Sequence, residues 1–145
     1  MHDDSDRKME AVLARAQAAV ADLAKNYGPS TLADLDRCAA LLQAARADAA
    51  GRAASIKELY GIAHNVKGQG GAFGYPLVTR IAHSLCTLVR QERDFIDADL
   101  GVIQAHLDAL RLILVKDIKG DGGEVGPKLA ARLENMVKTP GPSAA

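Results

Sequence analysis

The sequence predicts an all-α fold: an antiparallel, up-down four-helix bundle with an additional helix at the N-terminus and a short one at the C-terminus. Three observations lead there. Hydrophobic residues make up 48% of the 145-residue chain, yet aromatics are only 3% and tryptophan is absent. The interior must therefore be filled by Ala, Leu, Ile and Val, which suits closely packed helices. Segment after segment repeats its apolar residues at steps of three and four, the period of a helix with one buried face. The connections between segments are short, which sets neighbouring helices antiparallel. The length suits one domain with a real core.

Ser5 is placed to cap a first helix, with Met9, Val12, Leu13, Ala16, Val20 and Leu23 as its stripe, running out at Asn26-Tyr27-Gly28-Pro29. Residues 1–28 are thus read as an accessory helix that either packs on the domain or mediates dimerisation, the expected state being a monomer. Residues 29–138 are read as the bundle. Ser30-Thr31 opens its first helix, with Asp34 completing an arrangement like a capping box and Leu32, Leu35, Ala39 and Leu42 continuing to about Ala50-Gly51. Ser55 and Glu58 form an S-x-x-E capping signature for the next helix, whose far end is set by Gly74 and Pro76.

A helix from about Pro76 to Arg93 buries Val78, Ile81, Leu85 and Leu88. With the turn centred near Tyr75, it returns to the level of His64 near Cys86. Asp97 is placed to cap a helix in which Leu100, Ile103, Leu107, Leu110 and Leu114 recur to about Ile118. After the turn-rich Lys119-Gly120-Asp121-Gly122-Gly123, Pro127 begins a short closing helix, and residues 139–145 are expected to be a disordered tail.

Formal net charge is zero, with no basic cluster to track phosphates and no aromatic series for stacking bases, so nucleic acid is not an expected partner. The acidic start and the lack of an apolar run near ~20 residues argue against a secretory signal or a membrane span, and a cytoplasmic protein is expected. Cys38 and Cys86 have neither metal spacing nor a paired motif, and read as buried fillers or free thiols.

The chemistry concentrates between Leu59 and Gly74. Leu59, Ala63, Val66, Gly70 and Phe73 make the apolar stripe, and the turn of about 100° per residue sets His64 on the opposite side, toward solvent. Lys57, Tyr60, Gly61, Lys67, Gly68 and Gly71 share its face. A glycine inside a helix costs roughly 1 kcal/mol relative to alanine, so three of them around one imidazole need a reason other than helix stability. Clearing the surface for another protein's active site supplies one. An imidazole in water is mostly unprotonated at neutral pH and offers a nucleophilic nitrogen without a base. Lys67, three residues on, is placed to hold the oxygens of an anion carried on the ring.

His64, apolar Val66, Lys67, Gly68 and then Gly74 resemble the signature of histidine-containing phosphotransfer (HPt) domains, roughly H-x-apolar-K-G with a further glycine six residues later. Val66 stands where leucine is commoner, and Gln69, Gly70 and Gly71 follow the Lys-Gly pair. The resemblance implies a phosphocarrier rather than an enzyme: His64 accepts a phosphoryl group from a receiver-domain aspartate of a hybrid sensor kinase and passes it to a response-regulator receiver domain. It implies Lys67 as a phosphoryl-stabilising group, and Tyr60, Gly61, Gly68 and Gly71 as docking surface. In that family a polar side chain from the neighbouring helix often supports the histidine; Cys86 is a poor substitute, leaving Arg90 or His83. The chain has neither a nucleotide-binding glycine loop nor an acidic cluster for magnesium, so catalysis and the metal fall to the partner, with no cofactor or metal of its own.

Other classes compete. A metal site would need His64, His83 and His106 to converge, yet no Glu-x-x-His or His-x3-His pair occurs on an expected helix. His83 reads as a boundary residue, and His106 and His2 as solvated ones. A kinase dimerisation helix normally follows its histidine with an acid, where this chain has Asn65. A helical adaptor that is never phosphorylated is the main alternative.

Overall fold

A computed structural model describes residues 4–138; the expected tail at 139–145 lies outside the described residues. Among the described residues five α-helices follow one another: α1 (Asp4–Ala47), α2 (Arg52–Gly70), α3 (Pro76–Val89), α4 (Asp97–Val115) and α5 (Val125–Lys138), with a single 3-10 turn at Gly71–Phe73 between α2 and α3. There is no strand among the described residues. The core is aliphatic, as the composition requires: Leu35, Leu42, Ile56, Leu59, Ile81, Leu85, Leu88, Leu100, Ile103, Leu110 and Ile113 are all essentially inaccessible.

The chain does not break at Asn26–Pro29. α1 runs straight through, with Pro29 in its interior. Proline removes one backbone donor and crowds the carbonyl four residues back, but Pro29 is exposed, on the face turned to water, where that carbonyl can tilt outward and be solvated. Contacts on the other face hold the helix on both sides of it. Tyr27 stacks on Phe73 and Tyr75 with ring centroids 4.8 and 5.2 Å away, and Thr31, expected as a cap, is instead buried. What changes at Tyr27 is burial rather than conformation. Residues 4–26 are exposed throughout, whereas Tyr27, Thr31, Leu35, Cys38, Leu42 and Ala45 line one buried face.

Two other expected caps move. α2 starts at Arg52, before Ser55, and its N-cap Gly51 offers no side-chain cap. Arg52 ties this end down, donating to the carbonyls of Ala45 and Phe95 at 2.9 Å each. At the start of α4 the capping acceptor is Asp99 and not Asp97: its Oδ2 accepts the Ile96 N–H at 2.8 Å, and Arg93 grips both carboxylate oxygens at 2.9 Å. Burial pushes the Asp99 carboxyl up, but these hydrogen bonds outweigh it and the net shift is downward.

The turn between α2 and α3 forms where the sequence places it. Gly74 has φ 88°, the left-handed conformation open to glycine, and Pro76 occupies the first turn of α3. The α4–α5 connection braces it: the Gly120 N–H donates to the Gly74 carbonyl at 3.0 Å, and the Tyr75 hydroxyl donates to Asp117. Cys38 and Cys86 are buried free thiols. Burial pushes the Cys38 thiol up to about 12, which makes it inert filler. No helix among the described residues is long and apolar enough to cross a membrane.

Candidate functional site

α2 presents two faces with opposite duties. Ile56, Leu59, Ile62, Ala63, Val66 and Gly70 are buried against the bundle. His64, Gly61, Gly68 and Gly71 are exposed and Tyr60 and Lys67 half-buried. The Tyr60 ring lies one turn before His64, centroids 5.9 Å apart and tilted by 36°, so the imidazole rests against an aromatic edge while its far side is open. Neither the His64 ring, the Lys67 ammonium nor the Arg90 guanidinium has a hydrogen-bond or ion-pair partner among the described residues. An unpaired imidazole with an unpaired cation one turn along the helix is an anion-receptive nucleophile.

The glycines of α2 divide by what a β-carbon would meet. At Gly70 it would lie 2.5 Å from Thr79 Oγ1 and 3.0 Å from both the Thr79 nitrogen and the Tyr75 carbonyl oxygen; only glycine lets α3 start this close to α2. At Gly61 and Gly68 it would meet nothing within 4 Å, and at Gly71 only Thr79 Oγ1 at 3.8 Å. Nothing inside the molecule asks for glycine at 61 or 68. Both give up helix stability and leave backbone bare on the two turns that flank His64.

The register of α2 against α3 corrects one expectation. Thr79 Oγ1 donates to the Lys67 carbonyl at 3.1 Å, while Arg90 shares a groove of about 420 Å³ with Ile56, Lys57 and Tyr60. Running antiparallel between these two contacts, α3 meets the level of His64 near Ala82–His83 and not at Cys86. Arg90 is thereby level with Lys57, seven residues and so about 10 Å along the axis from His64. Arg90 lines the Tyr60 groove; burial pushes the Cys86 thiol up, while the charges of Lys67 and Arg90 both pull it down. His83 is exposed but lines a different groove, with Thr87, Glu134 and Lys138, facing α5. A polar α3 residue that bonds the signature is Thr79, whose role depends on the tight α2–α3 approach at Gly70 and has no local sequence signal.

His106, read as solvated, is fully buried. Its Nδ1 lies 2.7 Å from the Val102 carbonyl and its Nε2 2.9 Å from Ser84 Oγ. The carbonyl can only accept, so Nδ1–H donates to it and Nε2 accepts the serine proton. Burial pushes its pKa below the usual histidine value, against the opposing effect of the Val102 carbonyl. The chain's periodicity does put position 106 one residue before Leu107; what the sequence hides is that Ser84, across the interface on α3, satisfies the ring. His64, His83 and His106 thus stand in three separate environments, and no group of three metal-ligating side chains occurs among the described residues.

A family model described as the Hpt domain matches residues 9–112, more than half of the chain. The match begins within the exposed half of α1 and extends through α2 and α3 into α4. No curated protein and no solved structure matches.

Proposed function

We propose, since this chain belongs to the Hpt domain family, that His64 is its phosphoacceptor and that the bare outer face of α2 is where a receiver domain docks. Hpt domains are phosphocarriers of phosphorelays, helical bundles that hold a phosphoryl group between two receiver domains. The observation that carries the assignment to His64 is the conjunction on α2: an exposed, unpaired imidazole, an unpaired lysine three residues on, and glycines at 61 and 68 that no internal contact requires.

The chemistry asked of the chain is small. Phosphoryl transfer needs the attacking nitrogen in line with the leaving oxygen, with charge on the equatorial oxygens neutralised. A ring braced by Tyr60 and left open on the other side supplies the nucleophile. Lys67 supplies a cation within reach of the phosphoryl oxygens once they sit on the ring. The receiver's acidic pocket supplies magnesium and the aspartyl phosphate. In the forward step the His64 nitrogen forms a bond to phosphorus as the aspartyl C–O–P linkage breaks at phosphorus, regenerating the carboxylate; the second receiver reverses it. Gly61, Gly68 and Gly71 let the receiver's surface approach the backbone of α2, and Tyr60 with Lys57 and Arg90 forms the lower rim of the contact.

His64→Gln tests this directly. The side chain is exposed, so helicity and melting should be unchanged, while acid-labile label from a phosphorylated receiver should fall to background. Retained labelling would contradict the assignment. Full labelling of the wild type by no receiver in a broad panel would favour the unphosphorylated adaptor.

A further inference from the structure

The exposed half of α1 carries a stripe that its own bundle does not cover. Met9, Val12, Leu13, Val20 and Leu23 are 53–62% exposed. Met9, Leu13, Ala16, Val20, Leu23 and Tyr27 recur at steps of four, three, four, three and four, a seam at the coiled-coil period. At Tyr27 this same face of the same helix passes into the bundle, where α2 and α4 cover it as far as Ala45. Helices therefore cover the lower half of one continuous seam, and water faces the upper half.

We infer that a second copy of this chain covers it, the two exposed halves of α1 pairing antiparallel. The flanks suit self-association. Asp4, Asp6, Glu10 and Asp22 balance Arg7, Lys8, Arg15 and Lys25, so the segment is neutral and lacks the cationic face of a helix that lies on anionic lipid. At about 100° per residue, Arg7, Arg15, Asp22 and Lys25 lie well off the seam, with Asp6, Glu10 and Gln17 along one edge and Lys8, Val12 and Ala19 along the other.

Orientation follows from the bundle's position. The bundle lies on the side of α1 toward which the seam points, so parallel partners would drive their bundles into the same space. Antiparallel partners put the bundles at opposite ends. The tip of one helix must then stop short of the other copy's Tyr27, which sets Met9 beside Val20 of the second copy and Leu13 beside its Ala16. The same register brings Asp4 level with Lys25 of the second copy, whereas parallel pairing would set acidic tips side by side. With roughly 100 Å² of exposed area on each of the five large side chains, the pair covers about 1,000 Å² over both copies, near the lower limit for a specific interface. Association in the micromolar range is the matching strength, and it replaces the expected monomer. Both His64 rings stay clear of the seam, so transfer and dimerisation are separable.

Sedimentation equilibrium of the full chain across 1–100 μM tests this. The wild type should pass from 15.3 kDa toward twice that mass, and L13E/V20E, altered only at exposed positions, should stay at the single mass with an unchanged melting curve. Oxidation should link A16C chains through the new cysteine and leave M9C chains unlinked, since antiparallel copies of position 9 are about 17 Å apart along the axis. A wild type that remains at one mass throughout, including one that gains mass only with a receiver domain or with vesicles, overturns the proposal. Efficient linking at position 9 overturns the antiparallel arrangement.

Discussion

The outer face of α2 and the interior between α2, α3 and α4 each contain a histidine and helical glycine, and they use them in opposite ways. Inside, His106 is sealed, its two nitrogens spent on Val102 and Ser84, and Gly70 is glycine because Thr79 and Tyr75 leave no room for a β-carbon. Outside, His64 has no hydrogen-bonding partner among the described residues, and a β-carbon at Gly61 or Gly68 would stand in open space. The same residue types thus mark packing in one region and accessibility in the other. The distinguishing property is what surrounds them, since composition and spacing are alike. A glycine with an internal reason belongs to the fold; a helical glycine without one, beside an open nucleophile, is on the proposed reading kept for a partner.

The comparison breaks most visibly at Gly70. Gly70→Ala forces α3 away from the end of α2 and should destabilise the bundle by about 1–3 kcal/mol, read by urea unfolding; a neutral result would show that the α2–α3 approach is slack. The next effect in size is the acid response of the interior. Burial depresses the folded-state pKa of His106 below the ordinary histidine value of 6.5, so the unfolded chain takes up that proton first. Its contribution to stability is intact above about pH 6.5 and is lost as pH falls below that value, by up to ~1.4 kcal/mol per pH unit until the folded group also protonates. Unfolding free energies at pH 7.5 and 5.5 should therefore differ more in the wild type than in His106→Gln. The carboxyls of Asp99 and Glu134 are held below their ordinary values, so their losses come at more acidic pH and do not mask the window. The smallest effect has the opposite sign. Gly61→Ala and Gly68→Ala should each stabilise the helix by about 0.5–1 kcal/mol, seen as raised urea midpoints, and a loss of stability would mean that these glycines have structural work of their own.

Much of this was legible from the chain. The stripe of Leu59, Ala63, Val66 and Gly70 opposite His64, the left-handed Gly74 and the Pro76 start of α3 are local features, and local periodicity and turn chemistry determine them. What was hidden depends on partners distant in sequence. Pro29 reads as a terminator, but the stacking of Tyr27 on Phe73 and Tyr75 and the burial of Thr31 carry α1 past it. Ser55 and Asp97 have the right chemistry for caps, yet α2 starts earlier, tied by Arg52 to the Ala45 and Phe95 carbonyls, and the acceptor at the start of α4 is Asp99. The level of His64 on α3 falls three or four residues earlier than a turn centred on Tyr75 predicts, because α3 starts close against α2 at Gly70, and His106 reads as solvated because Ser84 is 22 positions away. The pattern around Lys67 and Gly68 points to the proposed site; the depth of its surroundings belongs to the fold.

The most direct test of the central claim compares the wild type with Gly68→Gln for the initial rate of phosphoryl transfer from one phosphorylated receiver domain, at matched helicity and melting temperature. If the bare surface exists for docking, the glutamine side chain, standing in open space, should leave the bundle at least as stable and slow transfer at limiting receiver by tenfold or more. An unchanged rate in a folded Gly68→Gln protein would mean that nothing closes over that turn of α2, and the glycines around His64 would need another explanation.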